Sequence, residues 1–515
     1  MARNLRDWLG ELDEHQLLNK VTEPVHIGTL ATTIAEFDHQ ATLFENIRGY
    51  QMPVAANTFS NRAMMALALG APEDRLLDTL AERMAAPMDP VMVKDAPCKE
   101  VIETGSEVNL AALPLHLQHE LDGAPYITAS VLVARDPSRD VHNLGIYRMM
   151  YRTPRETGVD VTAPHKLRHY FEQACELERP LEVAAVVGLP AIDMLASLAS
   201  TPLDVDEYGT LGGFRGEPAE LIKCETVDLL VPANAEMVLE GEMLPIGWSE
   251  DEGPYGEFTG TYGGSMKSNP TIRIKAITRR RDAMLQSATH GGRRPGWTDM
   301  HAFFPMLELS LYNALNQAGI QVVAVRALPA SSGMWAAASI KPLSMGDART
   351  ALAILMSASK QAFPKFAVVV DPDIDIFDDE QLTWAMTWRS QPHKDLMVLE
   401  DMKAVPLDPS LATSMPPVTT SKMGLDATIP VDRNQDDFAI CLPASFGPDH
   451  GDGTAPGPDE LDALMLDFIK AGPVHFQDII TRFGGETYQA ALEALARLRE
   501  QGALTRDEAG RYMAR

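Results

Sequence analysis

The run Tyr126-Ile127-Thr128-Ala129-Ser130-Val131-Leu132-Val133 alternates, with Ile127, Ala129, Val131 and Val133 on every second position. That is the period of a strand with one face on a core. Downstream, the short apolar run Val183–Val187 predicts a buried strand. Upstream, Leu5, Trp8, Leu9, Leu12 and Leu17 fall at helical spacing, and after a second helix the stretch Asn46–Val54 reads as extended. The first part of the chain is therefore mixed α and β. Helical spacing returns at Met306–Gln317, followed by apolar runs at Gln321–Val325, Met334–Ile340 and Phe366–Val370, with a helix at Thr350–Ala362 between the last two. That order is α/β.

The stretch Phe446–Pro458 is rich in Pro and Gly, which neither propagate helices nor pair in sheets, and it reads as a linker. Beyond it, three helical patterns (Glu460–Ala471, His475–Phe483, Tyr488–Gln501) precede Ala503–Arg506 and Arg511–Met513, which can pair as a hairpin. This tail, 459–515, resembles a winged helix. From Pro456 onward it carries ten acidic residues against seven Lys and Arg, so it lacks the positive field that holds phosphates and is expected to serve packing or subunit contact.

The whole chain, 515 residues with a formal net charge of −28, is too long for one small module and too acidic for a generic nucleic-acid binder. With 45% hydrophobic and 23% charged residues it can bury large cores. Its longest apolar stretches, such as Ala184–Leu189, stop well short of the roughly 20 residues of a membrane-spanning helix. Met1–Asp7 lacks the apolar run of a signal peptide, so a cytoplasmic protein is expected, with neither membrane nor nucleic acid as partner. Cys98, Cys175, Cys224 and Cys441 are scattered without a CxxC pair and read as buried small hydrophobes.

Two segments carry chemistry. In Glu250–Gly260 a Gly-Pro-aromatic-Gly turn, Gly253-Pro254-Tyr255-Gly256, is flanked by Glu252 and Glu257. Such a turn can bring both carboxylates to one pocket, where burial raises a carboxyl's pKa toward neutrality; alone, the segment also fits a solvated acidic loop. In His142–Met149, Asn143 and Arg148 stand in an apolar, extended context, and a bend at Gly145 would let a desolvated Arg148 seek a carboxylate such as Glu252. Alone, this also fits an arginine at a strand edge in solvent.

Taken together, ordered motifs resemble the UbiD-type decarboxylases, which use prenylated FMN. They are Asn143-Leu144-Gly145-Ile146-Tyr147-Arg148, Pro164-His165-Lys166, Glu207-Tyr208-Gly209, Glu220-Leu221-Ile222-Lys223-Cys224, Val231–Glu236, Glu252-Gly253-Pro254-Tyr255-Gly256-Glu257 and Val368–Asp375. The resemblance spans most of residues 1–435. It implies a split β-barrel flavin-binding domain (1–310), an α/β oligomerisation domain (311–445), the linker 446–458 and the tail, assembled as a homodimer or higher homo-oligomer.

The resemblance further implies a catalytic set of Arg148, Glu252 and Glu257, with Glu257 the proton donor and Arg148 paired to Glu252. Asn143, His165 and Glu207 look like ligands of a divalent ion, usually manganese, bridging protein and cofactor phosphate, with His169 as the alternative to His165. Ser197 sits where the family places a potassium site, and Lys365 is a candidate contact for the cofactor phosphate. Glu236 and Glu240, one helical turn apart, are expected on a solvated helix face. The implied reaction is a reversible, non-oxidative decarboxylation, with the modified flavin, supplied by a flavin prenyltransferase, taking the electrons that CO2 leaves behind. The substrate would be an aromatic, heteroaromatic (furan, pyrrole, indole or phenazine type) or α,β-unsaturated acid. The loop Ala288–Trp297, with His290, Arg293 and Arg294, suits a second polar group on it, or flavin or solvent. The rival readings are an oxidoreductase using ordinary FMN and a ligand-sensing winged-helix regulator.

Overall fold

Eight strands follow one another edge to edge in a single sheet. Their order is Tyr126–Ile127, Met149–Thr153, Glu156–Gly158, Thr271–Arg279, Met237–Met243, Leu181–Val187, Ser130–Arg135 and His142–Ile146, with Val101–Thr104 added beside Thr271–Arg279. Every pairing along this path is antiparallel. Tyr126–Ile127 and Ser130–Arg135 stand six places apart in this order, yet only Thr128 and Ala129 separate them in sequence. His142–Ile146 and Met149–Thr153 are also six places apart, joined by Tyr147 and Arg148 alone. In a flat sheet six strand spacings come to roughly 29 Å, whereas three residue steps reach about 11 Å, so the sheet must curl until its edges approach. The result is a mixed α+β fold with a curled half-barrel, and Arg148 lies on one of the two links that cross its seam.

The computed structural model describes residues 2–515 apart from 38, 264–265, 295–297, 412–417, 434, 439, 442, 444–456 and 484–487. The expected linker, up to residue 456, thus lies outside the described residues, as does Trp297.

Both faces of the half-barrel are buried. Val131 and Val133 enter one core with Ala184 and Val186, while Leu132 and Ala134 enter a second with Val183 and Ala185. Ile127 joins the second core rather than sharing a side with Val131, because the strand breaks at Thr128–Ala129. There the Thr128 hydroxyl accepts the Ala288 N–H at 3.0 Å. The expected extended stretch 46–54 is instead a turn between the strands Ala41–Phe44 and Val54–Ala56, with Gly49 at a φ of 87°.

A five-stranded sheet, ordered Val322–Ala327, Trp335–Ile340, Phe366–Val370, Thr419–Ala427 and Leu396–Lys403, follows the helix Phe303–Gln317. Its three central strands pair in parallel, and the helix Asp347–Ser357 makes the crossover. The chain divides into two compact units, 1–428 and 429–515, and the boundary expected near residue 310 falls inside the helix Phe303–Gln317. In the second unit the helices Pro458–Lys470, Phe476–Phe483 and Tyr488–Glu500 enclose their own apolar core, and Leu504–Arg506 pairs antiparallel with Tyr512–Ala514. Cys98 and Cys224 are buried as expected, but Cys175 is half-buried and Cys441 is exposed. Among the described residues no helix is long and apolar enough to cross a membrane.

Candidate active site

Arg148 leaves the seam link and enters a nest of carboxylates. Its Nε donates to Glu252 Oε1 at 2.9 Å and its Nη2 to Glu252 Oε2 at 3.3 Å. Nη1 donates to both oxygens of Glu257 at 3.0 and 3.1 Å, and Nη2 also lies 2.7 Å from Asp160 Oδ2. The guanidinium rests over the Tyr255 ring, 4.6 Å from its centroid. Burial alone would lower the Arg148 pKa, but the three carboxylates, Asp160 foremost, more than reverse this and hold it well above the usual value. It therefore stays charged at any working pH.

The expected turn does bring Glu252 and Glu257 together. Glu252 ends a short strand, Glu250–Glu252, paired with Lys267–Asn269. The following turn is packed tightly: a Cβ at Gly123 would stand 2.2 Å from the Gly253 carbonyl oxygen, and one at Gly256 would stand 2.2 Å from His119 Nδ1. Only glycine allows these approaches. Gly123 N donates to the Pro254 carbonyl at 2.8 Å and Gly256 N to Asp122 Oδ1 at 2.8 Å. The Tyr126 hydroxyl donates to Glu252 Oε1 at 3.1 Å. Glu252 is 1% and Glu257 3% exposed. For Glu257, burial raises the carboxyl pKa, and the opposing pull of Arg148 and Lys267 does not bring it back to the ordinary range.

Arg148, Glu257 and His165 line one cavity of about 330 Å³, together with Asp160, His290, Asp299 and apolar side chains that include Phe59, Ile146, Leu198, Met300 and Phe303. A more open groove of about 620 Å³, lined by residues such as Thr153, Glu156, Arg273 and Lys275, has no buried carboxylate pair and is set aside.

The donor set expected for a divalent ion is Asn143, His165 and Glu207. Asn143 is 3% exposed and its Nδ2 is buried without a hydrogen-bond partner. Glu207 opens the helix Glu207–Arg215, and its Oε2 accepts the Leu144 N–H at 2.6 Å, which ties it to the residue after Asn143. His165 caps the helix Lys166–Glu176, its Nδ1 accepting from Arg168 N at 3.4 Å; to bind an ion through Nε2 the ring would have to give up this long cap bond and carry its proton on Nδ1. Burial lowers its pKa to about 4, so the imidazole is neutral, as a ligand must be. Among the described residues no three His, Cys, Asp or Glu side chains gather as a metal site, so an ion here would need the Asn143 amide oxygen. An amide oxygen, an imidazole and a carboxylate fit a hard or borderline divalent ion that keeps positions open for phosphate.

Ser197 is the residue expected at a potassium site. The Ser197 hydroxyl donates to the Asp193 carbonyl at 2.8 Å, within its own helix. Glu207 Oε1 is taken by the Lys166 ammonium at 3.0 Å and the Thr201 hydroxyl at 2.8 Å. His169 is not a cavity residue; its Nε2 meets Gln173 Nε2 at 2.8 Å along the helix. Lys365 is also absent from the cavity lining, because Asp408 at 2.7 Å and Ser410 at 2.8 Å hold its ammonium. Glu236 and Glu240 are not on a solvated helix face: both are fully buried, Glu240 inside the strand Met237–Met243. Glu240 accepts the Glu225 and Thr226 N–H groups and Lys99, and Glu236 pairs with Arg6 and accepts the Met284 N–H.

Sequence reasoning missed Asp160, Lys267 and Asp299. Asp160 binds Arg148, and Lys267 lies 3.4 Å from Asp160 and 3.7 Å from Glu257. Burial opposes ionisation of Asp160, yet Arg148 and Lys267 hold its pKa well below the usual carboxylate range. Asp299 accepts the Phe59 and Thr289 N–H groups at 3.0 Å, and burial pushes its pKa up to about 7. Neither aspartate belongs to a recognisable motif; for Asp160 the sole available sign was an acid four positions before the Pro164-His165-Lys166 segment. The loop 288–297 contributes His290 to the cavity, while Arg293 is exposed.

Comparison with known proteins places the whole first unit in one context. Profiles of the 3-octaprenyl-4-hydroxybenzoate carboxy-lyase family match residues 9–84 (N-terminal domain), 90–294 (Rift-related domain) and 303–427 (C-terminal domain). The anhydromevalonate phosphate decarboxylase of Methanothermobacter thermautotrophicus is 30% identical over 434 residues, 83% of this chain and 97% of that protein. The phenolic acid decarboxylase of Sedimentibacter hydroxybenzoicus is 31% identical over 454 residues, 83% of this chain and 92% of that protein. Among solved structures, the UbiD-class enzyme HmfF from Pelotomaculum thermopropionicum in complex with FMN superposes with a TM-score of 0.80 at 33% identity, covering 86% of this chain and 98% of that one. An evolved dimeric form of HmfF in complex with prFMN gives 0.77 at 32% identity over the same shares.

Proposed function

Because the chain belongs to the UbiD carboxy-lyase family, we propose that it removes CO2, reversibly and without net oxidation, from an aromatic, heteroaromatic or α,β-unsaturated acid bound beside prenylated FMN. The observation that carries this reading is the single guanidinium of Arg148 joining Glu252 to Glu257, with Arg148 and Glu257 both lining one cavity. When bound, prenylated FMN supplies the electron sink that no protein side chain offers for the electrons left by CO2.

The residues divide the remaining work. Arg148 stays charged and orients the substrate carboxylate, while Glu252, itself fixed by the Tyr126 hydroxyl, holds the guanidinium in a bidentate grip. Glu257, whose pKa is raised by burial, delivers a proton to the carbon that loses CO2. The resulting carboxylate then faces Arg148 Nη1 and Lys267, which stabilise it until it is reprotonated. The apolar wall of Phe59, Ile146, Leu198 and Phe303 keeps water from competing for that proton. Asn143, His165 and Glu207 would hold a divalent ion, manganese in our reading, against the cofactor phosphate.

His290 lines the same cavity, and burial, helped by His119 and Arg148, lowers its pKa to about 4, so it offers a neutral imidazole to the substrate. A neutral hydrogen-bonding group beside the apolar side chains of Phe59, Ile146, Leu198 and Phe303 favours a heteroaromatic acid of furan, pyrrole, indole or phenazine type. The test is a CO2-release assay over these carboxylates and an α,β-unsaturated acid, on protein produced with a flavin prenyltransferase and with its flavin identified by mass spectrometry. CO2 release that requires the prenylated cofactor supports the proposal; flavin-loaded protein that releases none from the whole panel overturns it.

A further inference from the structure

Lys166 is the first residue of the helix Lys166–Glu176, where a positive charge meets the positive end of the helix dipole, and its side chain is only 7% exposed. Burying an ammonium is costly unless its donors are satisfied. Here all three are: Nζ lies 2.6 Å from Thr201 Oγ1, 2.8 Å from the Val205 carbonyl and 3.0 Å from Glu207 Oε1. Thr201 in turn donates to the same Glu207 oxygen at 2.8 Å. A hydroxyl, a main-chain carbonyl and a carboxylate are the oxygen types that replace water around a potassium ion, and ammonium carries the same single charge.

The two oxygens of Glu207 are thereby divided. Oε1 is saturated by Lys166 and Thr201, while Oε2 accepts one N–H, from Leu144, and keeps a lone pair beside Asn143. A free potassium ion on Oε1 would have to displace a cation that is tethered beside it and already hydrogen-bonded to all three oxygens.

We propose that the Lys166 ammonium is a built-in monovalent cation, so that this chain holds Glu207 in its ligand position without binding potassium. The inference rests on Glu207 being part of the cofactor site, but its test reads ion binding to the flavin-free chain and stands apart from decarboxylation.

The experiment is equilibrium dialysis of the full-length protein against rubidium, a potassium surrogate, with melting temperatures in chloride salts of potassium, sodium and choline at equal ionic strength. The wild type is expected to bind no stoichiometric rubidium and to melt alike in all three salts. Lys166→Met and the milder Lys166→Gln are expected to bind roughly one rubidium per chain and to melt higher as potassium rises, as a ligand of the folded state requires. Stoichiometric rubidium on the wild type, or folded variants that gain none, overturns the proposal. If both variants fail to fold, the wild-type arm decides by itself.

Discussion

One guanidinium, that of Arg148, reaches Glu257 through Nη1 at 3.0 and 3.1 Å while its Nε holds Glu252 at 2.9 Å, so a single side chain sets the distance between two carboxylates five residues apart. Lysine keeps the charge but not the fork. Arg148→Lys should lower kcat by about 10²-fold or more, the scale expected when a donor aimed at the reacting group is lost, with flavin content, read from the visible spectrum, unchanged. Comparable kcat in the two proteins would remove Arg148 from the machinery.

Asp160 acts on the same group from behind. Its negative charge raises the Glu257 pKa, so Asp160→Asn should shift the alkaline limb of kcat/KM to lower pH. The sign follows because Glu257 serves as an acid: activity is present while it is protonated and is lost as pH rises through its folded pKa. Stability has the opposite window. The Asp160 pKa is depressed in the folded state, so its contribution is present above its unfolded value of about 3.9 and is lost as pH falls toward its folded pKa. Urea unfolding should therefore show the wild type more stable than Asp160→Asn at neutrality and the gap closing in acid.

Gly123 has no chemistry to offer, yet it faces the Gly253 carbonyl at a separation that leaves no room for a Cβ. Gly123→Ala should displace the turn between Glu252 and Glu257, costing about 1–3 kcal/mol of stability as overpacking does and reducing kcat more than it changes KM. Unchanged thermal unfolding would show that the turn is free to move.

The parts of this arrangement that sequence reveals are those written locally. Helical spacing located Leu5–Glu14 and Phe303–Gln317, and the short apolar runs located Val322–Ala327, Trp335–Ile340 and Phe366–Val370 of the five-stranded sheet, but not its inner strand Thr419–Ala427. The Gly-Pro-Tyr-Gly turn announced the meeting of Glu252 with Glu257. What stayed hidden depends on pairings distant in the chain. Val91–Met92 and Glu220–Leu221 pair in parallel, and no local pattern announces such a partner. Glu240 looked like a helix-face residue because a four-residue spacing from Glu236 fits a helix as well as a strand; its burial is set by Lys99 and the Glu225–Thr226 main chain. Asp160 and Lys267 reach Arg148 and Glu257 through the curl of the sheet, and Lys365 was drawn away by Asp408, 43 positions on.

The central claim, that Glu257 donates the proton, is tested most directly by measuring CO2 release from flavin-loaded Glu257→Gln beside the wild type. Glutamine keeps the shape and the hydrogen bond to Arg148 but has no acidic proton. The account predicts a fall in turnover of ~10²–10⁴, the usual contribution of a general acid, with the flavin still bound; turnover equal to that of the wild type would contradict it.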